Sequence, residues 1–401
     1  MFKPLKGIRV IDLSKVLAGP LCAQYLGDMG ADVVKIEPPE IGDDTRAWLP
    51  KMQGESATFM AVNHNKRSLA LDLKTEQGQA IVHRLVVDAD VVIQGFAAGT
   101  AERLKVDAQT LRTINPRLVY CEISGYGRDG PLGNEPGYDV MLQAFGGLIS
   151  TMGHPDGEFA RVSFSPVDLG TGMHACSGIL GALLHQQRTG EGAYVEVSLL
   201  DTAVGYMVYM AHNYWASGKV PKPMGTGHPS LCPYKLFQTA DGHVMLGVAN
   251  DRAWRRFCEV AQMQAYVDDP RFKTNADRVT HFEQTNDLVA TYMVQDTSEN
   301  WIRKLRGAGV PIAPIHTLDQ ALSNEQVLAR KIVTTHQHPT VGALNHVSFP
   351  VTFNRDARGP QRVPPLLGEH SIEILTQAGL TRHEIDQLIG QGVVQSADGQ
   401  A

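Results

Sequence analysis

A carboxylate among glycines is the feature of this sequence best suited to covalent chemistry. Asp168 lies in the segment Ser165-Pro-Val-Asp168-Leu-Gly170-Thr-Gly172-Met-His174, between a strand-like segment and a run with helical spacing. At such a junction an aspartate is first of all a helix N-cap, which accepts hydrogen bonds from free backbone N–H groups. The same N–H groups would keep a nucleophilic carboxylate ionised and aimed, and the glycines would let a ligand or another backbone come close. The residues alone are compatible with both interpretations.

Other motifs that commonly carry chemistry are absent or out of context. Gly125-Tyr-Gly127-Arg-Asp-Gly130 matches GxGxxG, but prolines and further glycines follow it where a dinucleotide site needs a helix, so it predicts a loop. The chain has no P-loop motif, no HEXXH and no GxSxG. His336-Gln-His338 lacks a third ligand and predicts a surface strand, so no metal is expected.

Composition indicates a globular protein of ordinary character. The 401 residues are 43% hydrophobic and 19% charged, with a net charge of −6. Scattered Lys and Arg on an acidic chain argue against nucleic acid as a partner. No run approaches the ~18 apolar residues of a membrane span, and the first residues lack a signal-peptide core, so we expect a cytoplasmic protein without a membrane partner. Five cysteines without a CxxC pair are expected to be buried, reduced thiols.

The order of elements predicts an α/β protein with two lobes. Short β-rich runs alternate with helical stretches, which is typical of a mostly parallel sheet covered on both faces. From Asp139 to about His185 the spacing is helical, and further helices are predicted near 252–261, 283–292 and 299–306. Strands are predicted at Asp32–Glu37, Val91–Gln94 and Tyr194–Leu200. We divide the chain into a large α/β domain (1–216), a linker or mobile loop (217–233), a smaller α+β domain (234–322) and a C-terminal segment that returns to the large domain (323–401).

Several short motifs occur in a fixed order along the chain. They are Leu5–Leu13, Ala18–Pro20, Gly30–Glu37, Gly42–Arg46, Asn65–Ser68, Leu71–Lys74, Asp168 with its Gly-Thr-Gly, and Pro365–His370. In this order and spacing the chain resembles the family III CoA-transferases (the CaiB/BaiF family), which include formyl-CoA transferase, carnitine CoA-transferase and alpha-methylacyl-CoA racemase. The resemblance implies a large Rossmann-like α/β domain with a smaller inserted domain, and two chains interlaced as a homodimer.

The resemblance also implies roles for individual residues. Asp168 matches the catalytic aspartate, which works through an aspartyl-acyl anhydride and an aspartyl-CoA thioester. CoA thioesters are then substrates, and no permanently bound cofactor is expected. Lys74 and Arg103 suit the CoA phosphates, because a point charge and a forked donor match phosphoryl oxygens. The positions that line the CoA site are Val16, Leu17, Ala18, Leu71, Lys74, Phe96, Arg103, Tyr138 and Asp139.

The chain departs from the family pattern at four places. Pro38 stands where many members have an arginine that contacts the nucleotide. Gln94-Gly95-Phe96 replaces a common Glu-Asn-Phe, and Leu17 replaces the glutamine of formyl-CoA transferases. The oligoglycine loop of the family is missing, and Met224–Pro229, with Gly225 and Gly227, is expected to take its place next to the substrate.

The segment before Asp139 separates transferase from racemase. The racemase branch has Gly-His-Asp, whereas this chain has Gly137-Tyr138-Asp139, and tyrosine with a pKa of about 10 is a poor partner for two-base proton exchange near neutral pH. We therefore predict a CoA-transferase. The alternatives are a 2-methylacyl-CoA racemase or epimerase of the same family and, from another class, an inactive CoA-binding scaffold.

The substrate prediction rests on two further segments. Gly42–Trp48 and Ile123–Gly127 look like the branch that uses succinyl-CoA and short dicarboxylates. A dicarboxylate acceptor needs a cation for its far carboxylate, and Arg46 is the candidate. The simpler alternative is that Arg46 pairs with Asp43 or Asp44.

Overall fold

The computed structural model describes residues 2–356 and 359–397. Met1, 357–358 and 398–401 lie outside the described residues, and so do the outermost ends of the predicted segments 1–216 and 323–401. The chain forms two compact units. The first contains Met1–Leu148, Val162–Ser217 and Glu325–Ala401, and the second contains Ile149–Arg161 and Gly218–Asn324. The second unit therefore takes in 149–161, which the sequence left in the large domain, and most of 217–233, which it assigned to a linker.

Within the described part of the chain, the strands form one large sheet and three small ones. The large sheet has the order β14-β5-β2-β1-β6-β7-β8, and all its neighbours are parallel except β14 and β5. This confirms the predicted mostly parallel sheet. The strands in chain order are β1 (Arg9–Asp12), β2 (Asp32–Glu37), β3 (Lys51–Met52), β4 (Glu55–Ser56), β5 (Lys66–Leu71), β6 (Val91–Gln94), β7 (Val119–Ser124), β8 (Tyr194–Ser198), β9 (Tyr234–Gln238), β10 (His243–Gly247), β11 (Ile312–Pro314), β12 (Val333–His338), β13 (Gly342–Val347) and β14 (Val394–Gln395).

Helices connect the parallel strands and fill the second unit. Among residues 2–356 and 359–397, short 3₁₀ helices lie at Asp44–Ala47, Ile149–Thr151 and Gln264–Tyr266. The α-helices are α1 (Ala18–Asp28), α2 (Ala57–Ala61), α3 (Glu76–Val86), α4 (Thr100–Arg103), α5 (Ala108–Ile114), α6 (Asp139–Phe145), α7 (Pro166–Thr189), α8 (Leu199–Tyr206), α9 (Val208–Ser217), α10 (Asp251–Val260), α11 (Asn275–Thr280), α12 (Phe282–Met293), α13 (Ser298–Gly307), α14 (Leu318–Leu322), α15 (Glu325–Ala329), α16 (Ser371–Gln377) and α17 (Arg382–Gly390).

The core of the first unit lies between the large sheet and its helices. Apolar side chains of the central strands, such as Val92 and Leu69, pack with side chains of α3, α5, α16 and α17. The predicted helical stretch from Asp139 to His185 is instead broken, because α6 ends at Phe145 and α7 begins only at Pro166. All five cysteines are buried and unpaired, as predicted.

Helix α7 corrects the expectation about apolar runs. By length and composition alone its 24 residues are apolar enough to cross a membrane, although the sequence was expected to contain no such run. A core helix passes the same test, because burial among other elements also selects apolar residues. Helix α7 packs against α1, β7 and β8 within the first unit, so we describe it as a core helix.

The second unit has its own sheet and core. Strands β9, β10 and β11 form an antiparallel sheet in the order β11-β10-β9. Its side chains pack against α10, α12 and α13 around Trp254 and Phe257. The predicted helices near 252–261, 283–292 and 299–306 each lie within one residue of α10, α12 and α13. An antiparallel sheet covered by helices confirms the α+β prediction.

The C-terminal hairpin β12–β13 belongs to the first unit. The predicted strand at His336-Gln-His338 is present, but His338 is buried rather than at the surface, and its Nε2 lies 3.0 Å from the Pro364 carbonyl oxygen. Burial lowers the pKa of His346 to about 4, and the imidazole of His64, whose ring centroid is 5.4 Å away, adds to the effect. Within residues 2–356 and 359–397 no three side chains of His, Cys, Asp or Glu are grouped as metal ligands.

Candidate active site

Helix α7 carries Asp168 in its first turn. Ser165 is the N-cap and Pro166 the first helical residue, a position where proline is favoured because its missing N–H needs no partner. Asp168 is therefore not the N-cap that the sequence suggested. The first-turn N–H groups donate to a different carboxylate, Asp139 on α6, whose Oδ2 lies 2.7 Å from the nitrogen of Val167 and 3.0 Å from that of Asp168.

The electrostatic environment of Asp168 is the reverse of the one expected. Burial first, and then the charge of Asp139, raise the pKa of this carboxyl to about 7. Among the described residues none donates a hydrogen bond to the Asp168 carboxyl oxygens. The N–H groups at the start of the helix thus bind Asp139, and Asp168 titrates in the neutral range.

The glycines after Asp168 allow two close approaches. A Cβ on Gly170 would lie 1.7 Å from the hydroxyl oxygen of Tyr206, which donates a hydrogen bond of 2.8 Å to the Pro166 carbonyl. A Cβ on Gly172 would lie 2.6 Å from the carbonyl oxygen of Ala18 at the start of α1. The glycine motif therefore seats the first turns of α7 directly against α8 and α1.

His174, on the same helix, is engaged elsewhere. Its Nδ1 lies 3.0 Å from the hydroxyl of Thr202 on α8, and that hydroxyl also accepts a hydrogen bond from Thr171. A ring held in this way is not directed at Asp168, which lies almost two helical turns away.

A cavity opens at the carboxyl ends of the parallel strands β1, β2, β5 and β6. Its volume is about 500 Å³, within the range of ligand sites, and open α/β sheets bind ligands at this end. Four predicted CoA residues line it, namely Leu71, Lys74, Phe96 and Arg103. The remaining lining residues are Leu13, Lys15, Ile36, Glu37, Pro38, Asp72, Leu73, Gln79, Thr100 and Leu104.

Three cations line this cavity, and the sequence pointed to two of them. Lys74 and Arg103 were predicted, and Nη2 of Arg103 donates to the Thr100 hydroxyl at 2.7 Å. Lys15 was missed. Its Nζ lies 3.4 Å from Asp44 in a partly exposed ion pair. Its position just beyond the carboxyl end of β1 was the available signal.

Two of the departures from the family pattern, Pro38 and Gln94-Gly95-Phe96, lie at or next to this cavity. Pro38 lines the cavity and offers neither a charge nor a donor there. The buried Gln94 side chain accepts a hydrogen bond of 2.6 Å from the Phe96 backbone N–H. Gln94 therefore holds the turn that presents Phe96.

The other predicted CoA residues lie at the starts of α1 and α6, outside the lining of the cavity. Val16 has φ 72, a left-handed conformation that is unusual for a β-branched residue, and its N–H donates to Asp43 Oδ1 at 3.3 Å. Leu17 is the N-cap of α1 and Ala18 its first residue. Tyr138 is the N-cap of α6 and is 63% exposed.

Fully buried charges hold the turn between β1 and α1. Lys35 Nζ donates to the Ser14 carbonyl at 2.9 Å and forms an ion pair with Asp43 at 2.9 Å. Lys66 Nζ lies 2.9 Å from Asp12 Oδ2. Burial lowers the pKa of Lys66 to about 8, while Asp12 opposes that shift, so the pair is ionised at neutral pH. These charged residues lie within the sequence motifs named above, but no role was predicted for them.

Arg46 has a partner other than those expected. Its Nε and Nη2 donate to the two carboxylate oxygens of Glu37 at 2.7 and 2.8 Å, and its guanidinium lies 3.6 Å from the ring centroid of Phe59. Its guanidinium forms an ion pair with neither Asp43 nor Asp44, although its backbone N–H donates to the Asp43 carbonyl at 2.8 Å. Because the donor fork already holds Glu37, we do not assign the far carboxylate of a substrate to Arg46.

Gly225 and Gly227 lie in the second unit. Gly225 has φ 59, and its N–H donates to the Gly153 carbonyl at 2.8 Å. The N–H of Gly227 donates to the Met224 carbonyl at 2.9 Å, which closes a tight turn. Their role next to the substrate stays a prediction.

Comparison with known proteins covers almost the whole chain. A family model described as CoA-transferase family III matches residues 5–371. The chain is 38% identical to a succinate–glutarate CoA-transferase of Agrobacterium fabrum over 93% of this chain and 95% of that protein, and 33% identical to the human succinyl-CoA:glutarate CoA-transferase over 98% and 90%. A crystal structure of a CaiB/BaiF family protein from Brucella suis superposes with a TM-score of 0.82 at 35% identity, covering 94% of this chain and all of that one.

Proposed function

Because the chain belongs to family III of the CoA-transferases, we propose that it moves CoA from an acyl-CoA thioester to a free carboxylic acid on the carboxylate of Asp168. The observation that carries this proposal is the state of Asp168. It lies in the first turn of α7, and no described residue donates a hydrogen bond to its oxygens, so their lone pairs are available to a substrate. A carboxylate with weakened solvation is a better nucleophile than one held by several donors.

The proposed reaction has four steps that balance. A carboxylate oxygen of Asp168 attacks the thioester carbonyl, forming an aspartyl-acyl anhydride and expelling the CoA thiolate. The thiolate attacks the aspartyl carbonyl, giving an aspartyl-CoA thioester and the free donor acid. The acceptor carboxylate attacks this thioester and forms a second anhydride, again releasing the thiolate. The thiolate then attacks the acyl carbonyl of the acceptor in this anhydride, which forms the new acyl-CoA and regenerates the Asp168 carboxylate. The nucleophile belongs to the protein, so the reaction needs no permanently bound cofactor.

The cavity beside β1, β2, β5 and β6 is the proposed binding site for the nucleotide end of CoA. Lys15, Lys74 and Arg103 would contact its phosphates, because three separated cations suit a ligand with phosphates at more than one position. The turn at Val16–Ala18 connects the end of β1 beside this cavity with the start of α1, which packs against α7 at Gly172. The pantetheine arm would follow this turn toward Asp168.

We propose succinyl-CoA or another short acyl-CoA as donor and a small dicarboxylate as acceptor. The support is the names of the bacterial and human relatives, which are succinate–glutarate and succinyl-CoA:glutarate CoA-transferases. The far carboxylate requires a cation or several N–H donors. The pairing of Arg46 with Glu37 argues against this role for Arg46.

We further propose that the protein is a homodimer. Helix α9 has no buried residue, and its exposed side chains include Val208, Tyr209 and Trp215. Such an apolar face on a ten-residue helix is typical of a surface that another chain covers. Analytical ultracentrifugation at micromolar concentration is expected to give twice the chain mass, and a concentration-independent monomer would contradict this.

The function is tested by substitution and trapping. Asp168→Ala is expected to lose succinyl-CoA:glutarate exchange and keep its fold, because it removes the nucleophile and little packing. The control Asp88→Ala removes an exposed aspartate beside the amino end of β6 and is expected to retain full activity.

Trapping is the second experiment. The enzyme incubated with the acyl-CoA donor, but without an acceptor acid, is expected to form a covalent adduct on Asp168. Hydroxylamine should then modify Asp168, which peptide mass spectrometry detects. Full exchange by Asp168→Ala, or a label on another residue, would overturn the mechanism.

The same sample separates the alternatives. A 2-methylacyl-CoA in deuterated water is expected to show no exchange of its α-proton, because Tyr138 takes the place of a histidine base. Rapid exchange would indicate the racemase. CoA binding with neither exchange nor acyl transfer to any carboxylate of a broad panel would indicate the scaffold.

A further inference from the structure

Asp139 supports the helix that carries Asp168 from outside that helix. Its Oδ2 accepts hydrogen bonds from the backbone N–H groups of Val167, at 2.7 Å, and of Asp168 itself, at 3.0 Å. Its Oδ1 accepts one from the side-chain amide of Gln143, one turn further along α6. The Asp139 side chain is only 5% exposed, and Gln143 is fully buried. Any displacement of Asp139 therefore moves the backbone of the nucleophile.

We propose that Asp139 is a positioning residue of the transferase, which fixes the backbone of Asp168 and holds a second negative charge beside the nucleophile. This rests on the proposed function and deepens it. The resemblance implied a contact between Asp139 and CoA, whereas both its carboxylate oxygens are engaged by protein donors. Its contribution to the reaction thus passes through Asp168.

Gln143 extends the same support to the segment that enters α7. Its Oε1 accepts a hydrogen bond of 3.1 Å from the backbone N–H of Val162, while its Nε2 donates to Asp139. One turn of α6 therefore binds three backbone N–H groups between 162 and 168. Tyr206 holds the opposite side through its bond to the Pro166 carbonyl. The start of α7 is fixed by side chains on two neighbouring helices.

The two carboxyl groups have unequal surroundings. Asp139 accepts three hydrogen bonds, two of them from backbone N–H groups at the start of α7. Asp168 receives none from the described residues. Burial and then the Asp139 charge raise the pKa of Asp168 to about 7, so its reactive form grows with pH across the neutral range.

Among the described residues, Asp139 is the charged group that shifts the pKa of Asp168. Helix α8 presents Tyr206, and burial raises the pKa of its hydroxyl, which is therefore neutral. Helix α1 meets Gly172 with Ala18 and Leu21, which are apolar. His174 of α7 bonds to Thr202, and Tyr138 is an exposed phenol. Strands β7 and β8 meet α7 further on, where Val195 of β8 touches Gly178.

The test compares pH profiles of kcat/KM for the full chain. A carboxyl with a pKa of about 7 is roughly one-tenth ionised at pH 6, so the wild-type rate at pH 6 should be about one-tenth of that at pH 8.5. Asp139→Asn keeps a carbonyl oxygen for the two N–H groups and removes the charge, and it is expected to raise this ratio at least threefold. Asp139→Ala also loses the cap and is expected to be slower than Asp139→Asn at every pH. The control Asp88→Asn is expected to keep the wild-type ratio.

A ratio in Asp139→Asn equal to that of the wild type would overturn the proposal, and so would full activity in Asp139→Ala. A second measurement needs no turnover and separates this inference from the function. In protein labelled with ¹³C at the aspartate carboxyl, the Asp168 resonance is identified by its loss in Asp168→Asn. Its titration midpoint is expected to fall in Asp139→Asn, and an unchanged midpoint contradicts the inference. Absence of CoA transfer by the wild type would refute the function alone.

Discussion

Replacing Gly172 by alanine tests how closely the position of Asp168, the proposed nucleophile, depends on the contact between α7 and α1. The added methyl group would lie 2.6 Å from the carbonyl oxygen of Ala18 and 3.3 Å from Cβ of Leu21. A backbone carbonyl cannot rotate away as a side chain can. Ordinary contact begins at 3.4 Å, so one helix must move by about 0.8 Å. Asp168 lies four residues before Gly172 on the same helix face and moves with it.

The two expected effects differ in size. Overpacking costs about 1–3 kcal/mol, and the better helix propensity of alanine offsets about 1 kcal/mol, so the net loss of stability is modest at about 0–2 kcal/mol. The catalytic effect is larger. A misplacement of about 1 Å can cost ~100-fold in rate, so we expect kcat for CoA exchange to fall about 10- to 100-fold.

The assay measures kcat for succinyl-CoA:glutarate exchange together with the urea midpoint of unfolding. Gly307→Ala is the control, because it makes the same change at the exposed last residue of α13, where a Cβ would meet nothing within 4 Å. It is expected to leave kcat unchanged and to alter stability by at most about 1 kcal/mol. A Gly172→Ala enzyme with wild-type kcat would refute the reasoning, since it would show that the contact with Ala18 does not set the position of Asp168.

Two further predictions concern stability. Lys66→Met leaves Asp12 buried without its nearer ion-pair partner, so the free energy of unfolding in urea is expected to fall by about 3–5 kcal/mol. The control Lys273→Met breaks an exposed ion pair and is expected to lower it by at most about 1 kcal/mol. Equal losses in the two variants would contradict this prediction. His346 binds a proton more readily when unfolded, so the free energy of unfolding is expected to fall by up to about 3 kcal/mol as the pH drops from 6.5 to 4, and a His346→Gln variant with the same slope would contradict it.

The large sheet could be predicted because most of its strands are apolar runs between helices. Val91–Gln94 and Asp32–Glu37 were predicted with the bounds that the structure has. The strand β5, at Lys66–Leu71 between β14 and β2, was missed although all six of its residues are buried. It opens with Lys66 and Arg67, and such charges normally indicate a surface. Both are compensated by ion pairs with distant residues, which no local pattern reveals.

The residues of the cavity could also be predicted only in part. Lys74 and Arg103 were assigned by resemblance, whereas Lys15 and the buried set Asp12, Lys35 and Asp43 were not. The alternation of residues along a strand shows which side chains share a face of the sheet. It does not show which buried charges on neighbouring strands will form ion pairs. Arg46 is an example. Asp43 and Asp44 are its neighbours in sequence, but its ion-pair partner is Glu37, the last residue of β2.

The first turn of α7 contained a readable signal that would have changed the interpretation of Asp168. Ser165-Pro166 is typical of an N-cap followed by a proline at the first helical position, which puts Asp168 third in the helix rather than at its cap. What the sequence could not supply is the cap from Asp139, 29 residues earlier. Because of that contact the N–H groups at the start of α7 bind Asp139, while burial and the charge of Asp139 raise the pKa of Asp168, the proposed nucleophile, to about 7. A carboxylate must be ionised to attack a thioester but weakly solvated to do so quickly, and a fixed second carboxylate supplies the backbone support without adding donors to the first.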